Sequence, residues 1–388
     1  MNRYAQMISE LKTPEVMKRL TYLYGQRGGM LVAQSARYSR LLKRHEELVG
    51  YEGPIAMVSA PGRTEIGGNH TDHNHGRVLA ASVNLDVIAV AAPRADGRVR
   101  VKSKGYDMDE VSLDDLDVRD AEKNHSAALV RGTAARFAQL GYRVGGFDAY
   151  TTSDVLKGSG LSSSAAFEVL LGAILNQLYN GGAVSAVEVA KIAQYAENVY
   201  FGKPSGLMDQ MASSVGGIIT IDFADTDKPV IETVDFDFAA ADHALCIVDT
   251  GGNHADLTHE YAAVPAEMRA VAASLGVTYL RETSMEALIP AIPALRKAHG
   301  DRAVLRAIHF LGDNERVSRQ VAALNAGDFD EFKRLVVESG HSSFEYLQNV
   351  YAACDVEFQG LSLALALAQR ALDGCGAWRV HGGGFGGT

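Results

Sequence analysis

The clearest periodicity in the chain runs from Ala165 to Tyr179, where Val169, Leu170, Ile174 and Leu175 recur at the spacing of a buried helix. Ser162, Ser163 and Ser164 are N-cap residue types at its start, and Asn180-Gly181-Gly182 stops it. A second helix opens on a capping box, Ser185 with Glu188 three residues on, runs to about Tyr200 and carries Glu197 near its end. Strand patterns precede these helices at Ile55–Ser59, through the Val-, Leu- and Ala-rich stretch Val78–Ala92, and at Val99–Ser103, which alternates like a half-exposed strand. Ile218–Phe223 and Ala244–Asp249 also read as strands, and a mainly helical region follows to about Ala371. Residues 1–50 read as helical, interrupted at Gly28-Gly29.

With 388 residues the chain exceeds the usual size of one hydrophobic core, so two domains are expected, dividing in the Asp-rich stretch 225–240. The pattern is mixed α and β. A net charge of −10 without a clustered Lys/Arg tract argues against a nucleic-acid partner. No apolar run approaches the roughly 18 residues that span a bilayer, and Met1–Gln6 does not open a secretory signal, so no membrane partner and a cytoplasmic location are expected. Cys246, Cys354 and Cys375 are widely spaced among small or apolar neighbours, which predicts reduced core cysteines. His70, His73 and His75 cluster beside Asp72, but their spacing matches no usual zinc pattern.

Three segments use their positions on glycine and serine instead of core-filling side chains: Ala60–Asp72, Gly158–Ala166 and Gly382–Gly387. Such segments leave backbone N–H groups open and let a ligand approach the main chain closely. Where the second segment enters its helix, those N–H groups and the helix dipole converge on one point suited to a di- or triphosphate. A plain helix cap needs one serine; four fall between Ser159 and Ser164. The loop lacks the Gly-Lys-Ser/Thr of a Walker P-loop, so Mg2+ and dipoles carry more of the charge stabilisation there.

These residues resemble the galactokinases of the GHMP kinase superfamily. The first segment is similar to the galactokinase signature: Arg63, then Gly68-Asn69-His70-Thr71-Asp72, then Gly76-Arg77-Val78-Leu79. The second is similar to the superfamily phosphate loop and the third to its C-terminal glycine-rich motif. Further similar stretches are Gly206–Gln210, Arg306–His309 running to Glu315–Val317, and Glu338-Ser339 with His341–Ser343. The resemblance implies an α+β fold of two domains, the N-terminal one like the second domain of ribosomal protein S5 and the C-terminal one ferredoxin-like. It divides the chain into a helical extension (1–50), an N-terminal kinase domain (51–230) and a C-terminal kinase domain (231–388).

The implied activity is transfer of phosphate from ATP to the anomeric hydroxyl of galactose, giving galactose 1-phosphate. Asp209 is the implied catalytic base and Arg63 its cationic neighbour, a pairing that suits phosphoryl transfer to a hydroxyl. Asn69, His70, Asp72, Gly206 and Tyr261 are the implied sugar ligands. Gly158, Ser159, Gly160, Leu161, Ser162, Ser163, Ser164 and Ala165 are the implied ATP-binding loop, with Ser164 and Glu197 as Mg2+ ligands. ATP and a small sugar are the expected partners, and the expected state is a monomer or weak homodimer.

The match departs from the family in three places. Asn69 stands where the family usually has Glu, at the position implied to accept a hydrogen bond from the sugar 6-hydroxyl. Asn removes a negative charge there, which makes a 6-carboxylate sugar such as galacturonate the alternative substrate. Glu65 stands where the family usually has Asn, and His73 where it usually has Tyr. The chain also stops at Thr388, straight after the last glycine, where galactokinases continue through a strand and helix, so a truncated C-terminal domain is expected. About 50 residues precede the first motif, a little more than usual. A catalytically inactive galactose/ATP sensor is the non-enzyme alternative, and the intact Ser162-Ser163-Ser164-Ala165 disfavours it. His70-Thr71-Asp72 likewise disfavours a mevalonate or homoserine kinase.

Overall fold

A computed structural model describes residues 2–26, 28–155, 160–251 and 257–388. The chain forms two compact units, the first joining 1–62, 82–156 and 162–215, the second joining 63–81, 157–161 and 216–388. The α+β class read from the sequence is the class observed.

The first unit begins with α1 (Arg3–Glu10), α2 (Pro14–Tyr24) and α3 (Met30–Val49). Strands β1 (Ala56–Gly67), β2 (Arg77–Arg94), β3 (Arg98–Ser103) and β4 (Met108–Ser112) follow, the first two contributing residues to both units. Then come α4 (Ser126–Gln139), β5 (Gly146–Ser153), α5 (Ser163–Tyr179), α6 (Ala186–Tyr195), a π-helical turn (Ala196–Phe201) and α7 (Met208–Val215). The strand order in this unit is β4-β3-β5-β2. β3 runs parallel to β5 (Val101 opposite Ala149), and β5 antiparallel to β2 (Tyr150 opposite Val90).

Because side chains alternate across a strand, Ile88, Val90 and Ala92 of β2 share one face. On that face they are buried with Tyr4, Leu11, Leu20, Tyr38, Leu41 and Leu42 of the N-terminal helices. Val87, Ala89 and Ala91 on the other face are equally buried, which explains the near-continuous apolar run. The helices are also pinned by a polar network. Arg37 Nη1 donates to Asp86 Oδ1 at 2.5 Å, and Tyr24 and Ser59 hydroxyls donate to Asp86 Oδ2 at 2.5 Å, all away from water.

The second unit contains the N-terminal part of β2, followed in sheet order by β6 (Ile218–Asp222) and β7 (Val230–Val234). Five helices follow: α8 (Thr258–Ser274), α9 (Met285–His299), α10 (Asp301–Ala326), α11 (Phe329–Ser342) and α12 (Gly360–Leu372), with a second π turn at Ser343–Leu347. Val264, Met268, Val271, Leu280, Leu288, Val304, Phe310 and Phe385 form one core there.

Two expectations fail. Ala244–Asp249 does not form a strand: a ladder requires a partner, and among the described residues none pairs with it. Leu245 and Val248 stay 48% and 63% exposed, and a single backbone bond, Thr250 N–H to Gly387 O at 2.7 Å, ties the end of the segment. The three cysteines are free and exposed, not core residues, because each sits in a connecting segment. Among the described residues no helix is long and apolar enough to cross a membrane.

Candidate active site

Each unit carries its own cluster of the expected residues. In the first, α5 begins at Ser163 with Ser162 as its N-cap. Ser162 is held at φ 55° and makes no capping bond through its side chain. Its hydroxyl donates instead to the carboxylate of Asp209, in the first turn of α7. The serine that looks like a cap therefore links the start of the phosphate loop's helix to the expected base.

Four residues beyond Ser164, and so on the same face of α5, lies Glu168. Glu168 is fully buried; one of its oxygens accepts from Gln210 Nε2 at 3.0 Å and the other has no protein partner. Gln210 Nε2 also donates to Glu197 Oε2 at 2.8 Å. Glu197, on the π turn, is buried too and takes Lys203 Nζ at 2.8 Å and Ser205 Oγ at 2.5 Å. The solvated-carboxylate reading of Glu197 is thereby excluded. Burial and the neighbouring Glu197 charge push the Glu168 carboxyl up to about 8. Two carboxylates, an orphaned carboxylate oxygen, an orphaned amide oxygen on Gln210 and the Ser164 hydroxyl one turn back make an all-oxygen donor set, which fits a hard dication such as Mg2+. Gly206 precedes α7 in the segment that follows Ser205.

In the second unit, Arg63 N–H donates to Leu161 O at 3.0 Å and its Nη1 to Gly160 O at 2.5 Å, so the first signature segment holds the end of the phosphate loop. Gly160 has φ +72°, and a Cβ there would stand 2.5 Å from Thr388 Oγ1. Glycine is required on both counts. Gly158 and Ser159 lie outside the described residues.

The loop after β1 is pinned at its main chain by α10. Asn69 N–H donates to Asp313 Oδ2 at 2.8 Å, and His309 Nε2 donates to Asn69 O at 2.9 Å while its Nδ1 accepts from Ser342 Oγ at 2.8 Å. His309 and Asp313, four residues apart on one face of α10, are both fully buried.

The Asn69 side chain is buried as well. Its Nδ2 donates to Glu65 Oε1 (3.0 Å) and Gly382 O (2.6 Å), and its Oδ1 accepts from Asn349 Nδ2 (2.8 Å) and Ser343 Oγ (3.1 Å). Glu65 in turn takes Arg379 Nη2 at 2.6 Å. The charge missing at position 69 is thus present at Glu65, 3.0 Å from the amide, and the loop is no more hospitable to a 6-carboxylate than one with Glu at 69.

His70, at φ 56°, donates through Nε2 to Gly383 O at 2.9 Å. Burial, then repulsion from His73, lowers its pKa to about 4, so the ring is neutral. Its Nδ1 is buried with no protein partner, a bare acceptor suited to a ligand hydroxyl. Asp72 opens a short turn and accepts from His73 N–H at 2.9 Å. The hydroxyl of Tyr261 on α8 donates to Gly384 O at 2.7 Å, and its ring meets Phe385 edge-on. Asn69, His70 and Tyr261 therefore converge on the turn Gly382–Gly384.

The chain matches the profile for GHMP kinases N terminal domain over residues 128–217, and that for the galactokinase galactose-binding signature over 43–93. It is 36% identical to a galactokinase of Streptomyces coelicolor over 346 residues, 89% of this chain and 86% of that protein. The chain belongs to the galactokinase family. A second galactokinase, from Canis lupus familiaris, is 33% identical over 373 residues, 93% of this chain and 88% of the relative. Lactococcus lactis galactokinase complexed with galactose superposes with a TM-score of 0.76 at 26% identity, covering 90% of this chain and 88% of that one. The mevalonate kinase of Methanococcus jannaschii (TM-score 0.57, 14% identity, 87% and 90% covered) shares the fold.

Sequence reading missed several residues of this galactokinase-family chain. Glu168 and Lys203 lay outside every motif, and only the i, i+4 relation of Glu168 to Ser164 signalled the first. For His309 and Asp313 the signal was buried-type polar residues recurring on one helical face of α10.

Proposed function

We infer that this chain is an ATP-dependent sugar-1-kinase that transfers the γ-phosphoryl group of ATP to the anomeric hydroxyl of galactose. The hydrogen bond from Ser162, at the N-terminus of α5, to the carboxylate of Asp209 carries the reading. It ties a carboxylate able to accept a hydroxyl proton to a helix start able to receive phosphates.

In this reading the N–H groups at the start of α5 and the loop ending at Gly160-Leu161 bind the β- and γ-phosphates. Asp209 accepts the proton of the C1 hydroxyl as the sugar oxygen forms its bond to the γ-phosphorus and the bond to ADP breaks. Arg63 steadies charge on the transferring oxygens. Ser164 and Glu197 hold Mg2+, which when bound neutralises phosphate charge. His70 Nδ1 and Asp72 accept from ring hydroxyls, and Gly206 and Tyr261 complete the sugar side.

The test is 31P NMR of the full chain with ATP, Mg2+ and galactose, which should yield a sugar 1-phosphate and ADP in equal amounts. Asp209→Asn should lower kcat by roughly 10^2–10^4-fold, the contribution of a positioned base, while galactose still binds. A wild-type protein that forms no sugar phosphate overturns the assignment. Undiminished turnover in Asp209→Asn removes Asp209 from the chemistry.

A further inference from the structure

We propose that the carboxylate of this sugar loop is Glu65 and that Asn69 is a closed structural clasp, so the enzyme makes no demand on the substituent at C6 of a galacto-configured sugar. The proposal rests on the sugar-kinase reading and refines its substrate class to include 6-deoxygalactose and L-arabinose.

An amide side chain offers two N–H donors and two acceptor lone pairs. At Asn69 all four are used within the protein, on Glu65, Gly382, Asn349 and Ser343. Its backbone N–H and C=O are held by Asp313 and His309 as well. Six hydrogen bonds fix a residue with no exposed surface. Turning the amide outward to take a sugar hydroxyl would orphan four buried partners, a cost that one new bond does not offset. Position 69 thus holds the two ends of the loop to the glycine-rich turn and offers nothing to a ligand.

The same geometry explains why the acid sits at 65. Two of the groups around the 69 side chain, Glu65 Oε1 and Gly382 O, are acceptors. A carboxylate at 69 would face both without a proton to share. With the acid at 65, Arg379 binds it directly at 2.6 Å, Arg63 attracts it from further off, Asp72 opposes it, and His381 Nε2 takes its backbone N–H. Glu65 and Asn69 are an exchanged pair: the acid and the amide have traded places relative to the family's usual Asn and Glu, and each residue only works with the other.

The experiment compares kcat/KM of the full chain with galactose, 6-deoxygalactose and L-arabinose, the last lacking C6 altogether. The proposal expects the three to agree within about threefold, since no hydrogen bond to the 6-hydroxyl is lost. A value for 6-deoxygalactose more than about tenfold below that for galactose overturns it, because that is the signature of a site built around the hydroxyl. Absence of turnover with galactose itself is a different result and sinks the kinase reading beneath it.

Asn69→Glu alone should lose at least a hundredfold in kcat/KM, whereas Glu65→Asn with Asn69→Glu should recover most of it and newly discriminate against 6-deoxygalactose. An Asn69→Glu enzyme as active as wild type refutes the clasp. Should that variant fail to fold, the wild-type substrate comparison still decides.

Discussion

Replacing Glu65 with Gln tests which of two opposed forces governs the buried acid. Removal from water raises its pKa; Arg379 at 2.6 Å and Arg63 lower it. Burial wins, and the carboxyl rises from 4.5 to about 7. A rise of that size corresponds to about 3 kcal/mol of folding free energy. Because the folded-state pKa lies above the unfolded one, the contribution is fully present below pH 4.5 and is lost as pH climbs through 7. Gln keeps the shape and the neutral form but cannot ionise. The difference in stability between Glu65→Gln and wild type should therefore move by about 3 kcal/mol in favour of the variant between pH 4 and pH 8. Urea unfolding of both proteins at a series of pH values reads this directly, since every other titrating group is common to the two. A difference flat to within about 1 kcal/mol, or one that moves toward wild type, would mean the guanidiniums outweigh desolvation, and the reasoning would be wrong.

Asp86→Ala should destabilise the first unit by about 3–5 kcal/mol, because it leaves Arg37 charged, buried and unpaired. Arg37→Met combined with it should restore most of the loss in denaturant titrations, and a single variant within 1 kcal/mol of wild type contradicts the network. His309→Ala removes the donor to Asn69 O and the acceptor for Ser342; it should cost about 2–4 kcal/mol and raise KM for the sugar several-fold more than it lowers kcat. Steady-state kinetics with galactose varied would reveal the split. Gly384→Ala places a Cβ 2.1 Å from Asn349 O at φ +75°, so it should abolish sugar binding by calorimetry or destabilise the second unit measurably.

What was legible in the sequence was local. The start and stop of α5 and the capping box at Ser185, whose hydroxyl takes Glu188 N–H at 3.1 Å, depend on neighbours a few positions away. The strands at β1, β2, β3 and β6 were readable because burial on a sheet imposes its own pattern. What was not legible depended on distant partners. Asn69 looked like a sugar ligand by position, yet Ser343, Asn349 and Gly382, each more than 270 residues on, consume its amide. Ser162 looked like a cap, but its hydroxyl is committed to Asp209, 47 residues later. Residues 244–249 carried a strand pattern without a partner to express it, and the cysteines' apolar neighbours gave no indication that their segments lie at the surface. The helices of the first fifty residues were visible, but not Arg37 reaching Asp86.

The widened turn at Ala196–Phe201 makes one part of the chemistry depend on chain length rather than on residue identity. Glu197 lies at its beginning, while Lys203 and Ser205, which hold that carboxylate, come after it. A one-codon deletion inside the turn would let α6 continue as ordinary helix, swinging everything downstream by about 100° and drawing it back about 1.5 Å relative to Glu197. No side chain in contact with the carboxylate would have been altered, yet its grip would be gone, and substitution scanning alone would pass over the cause.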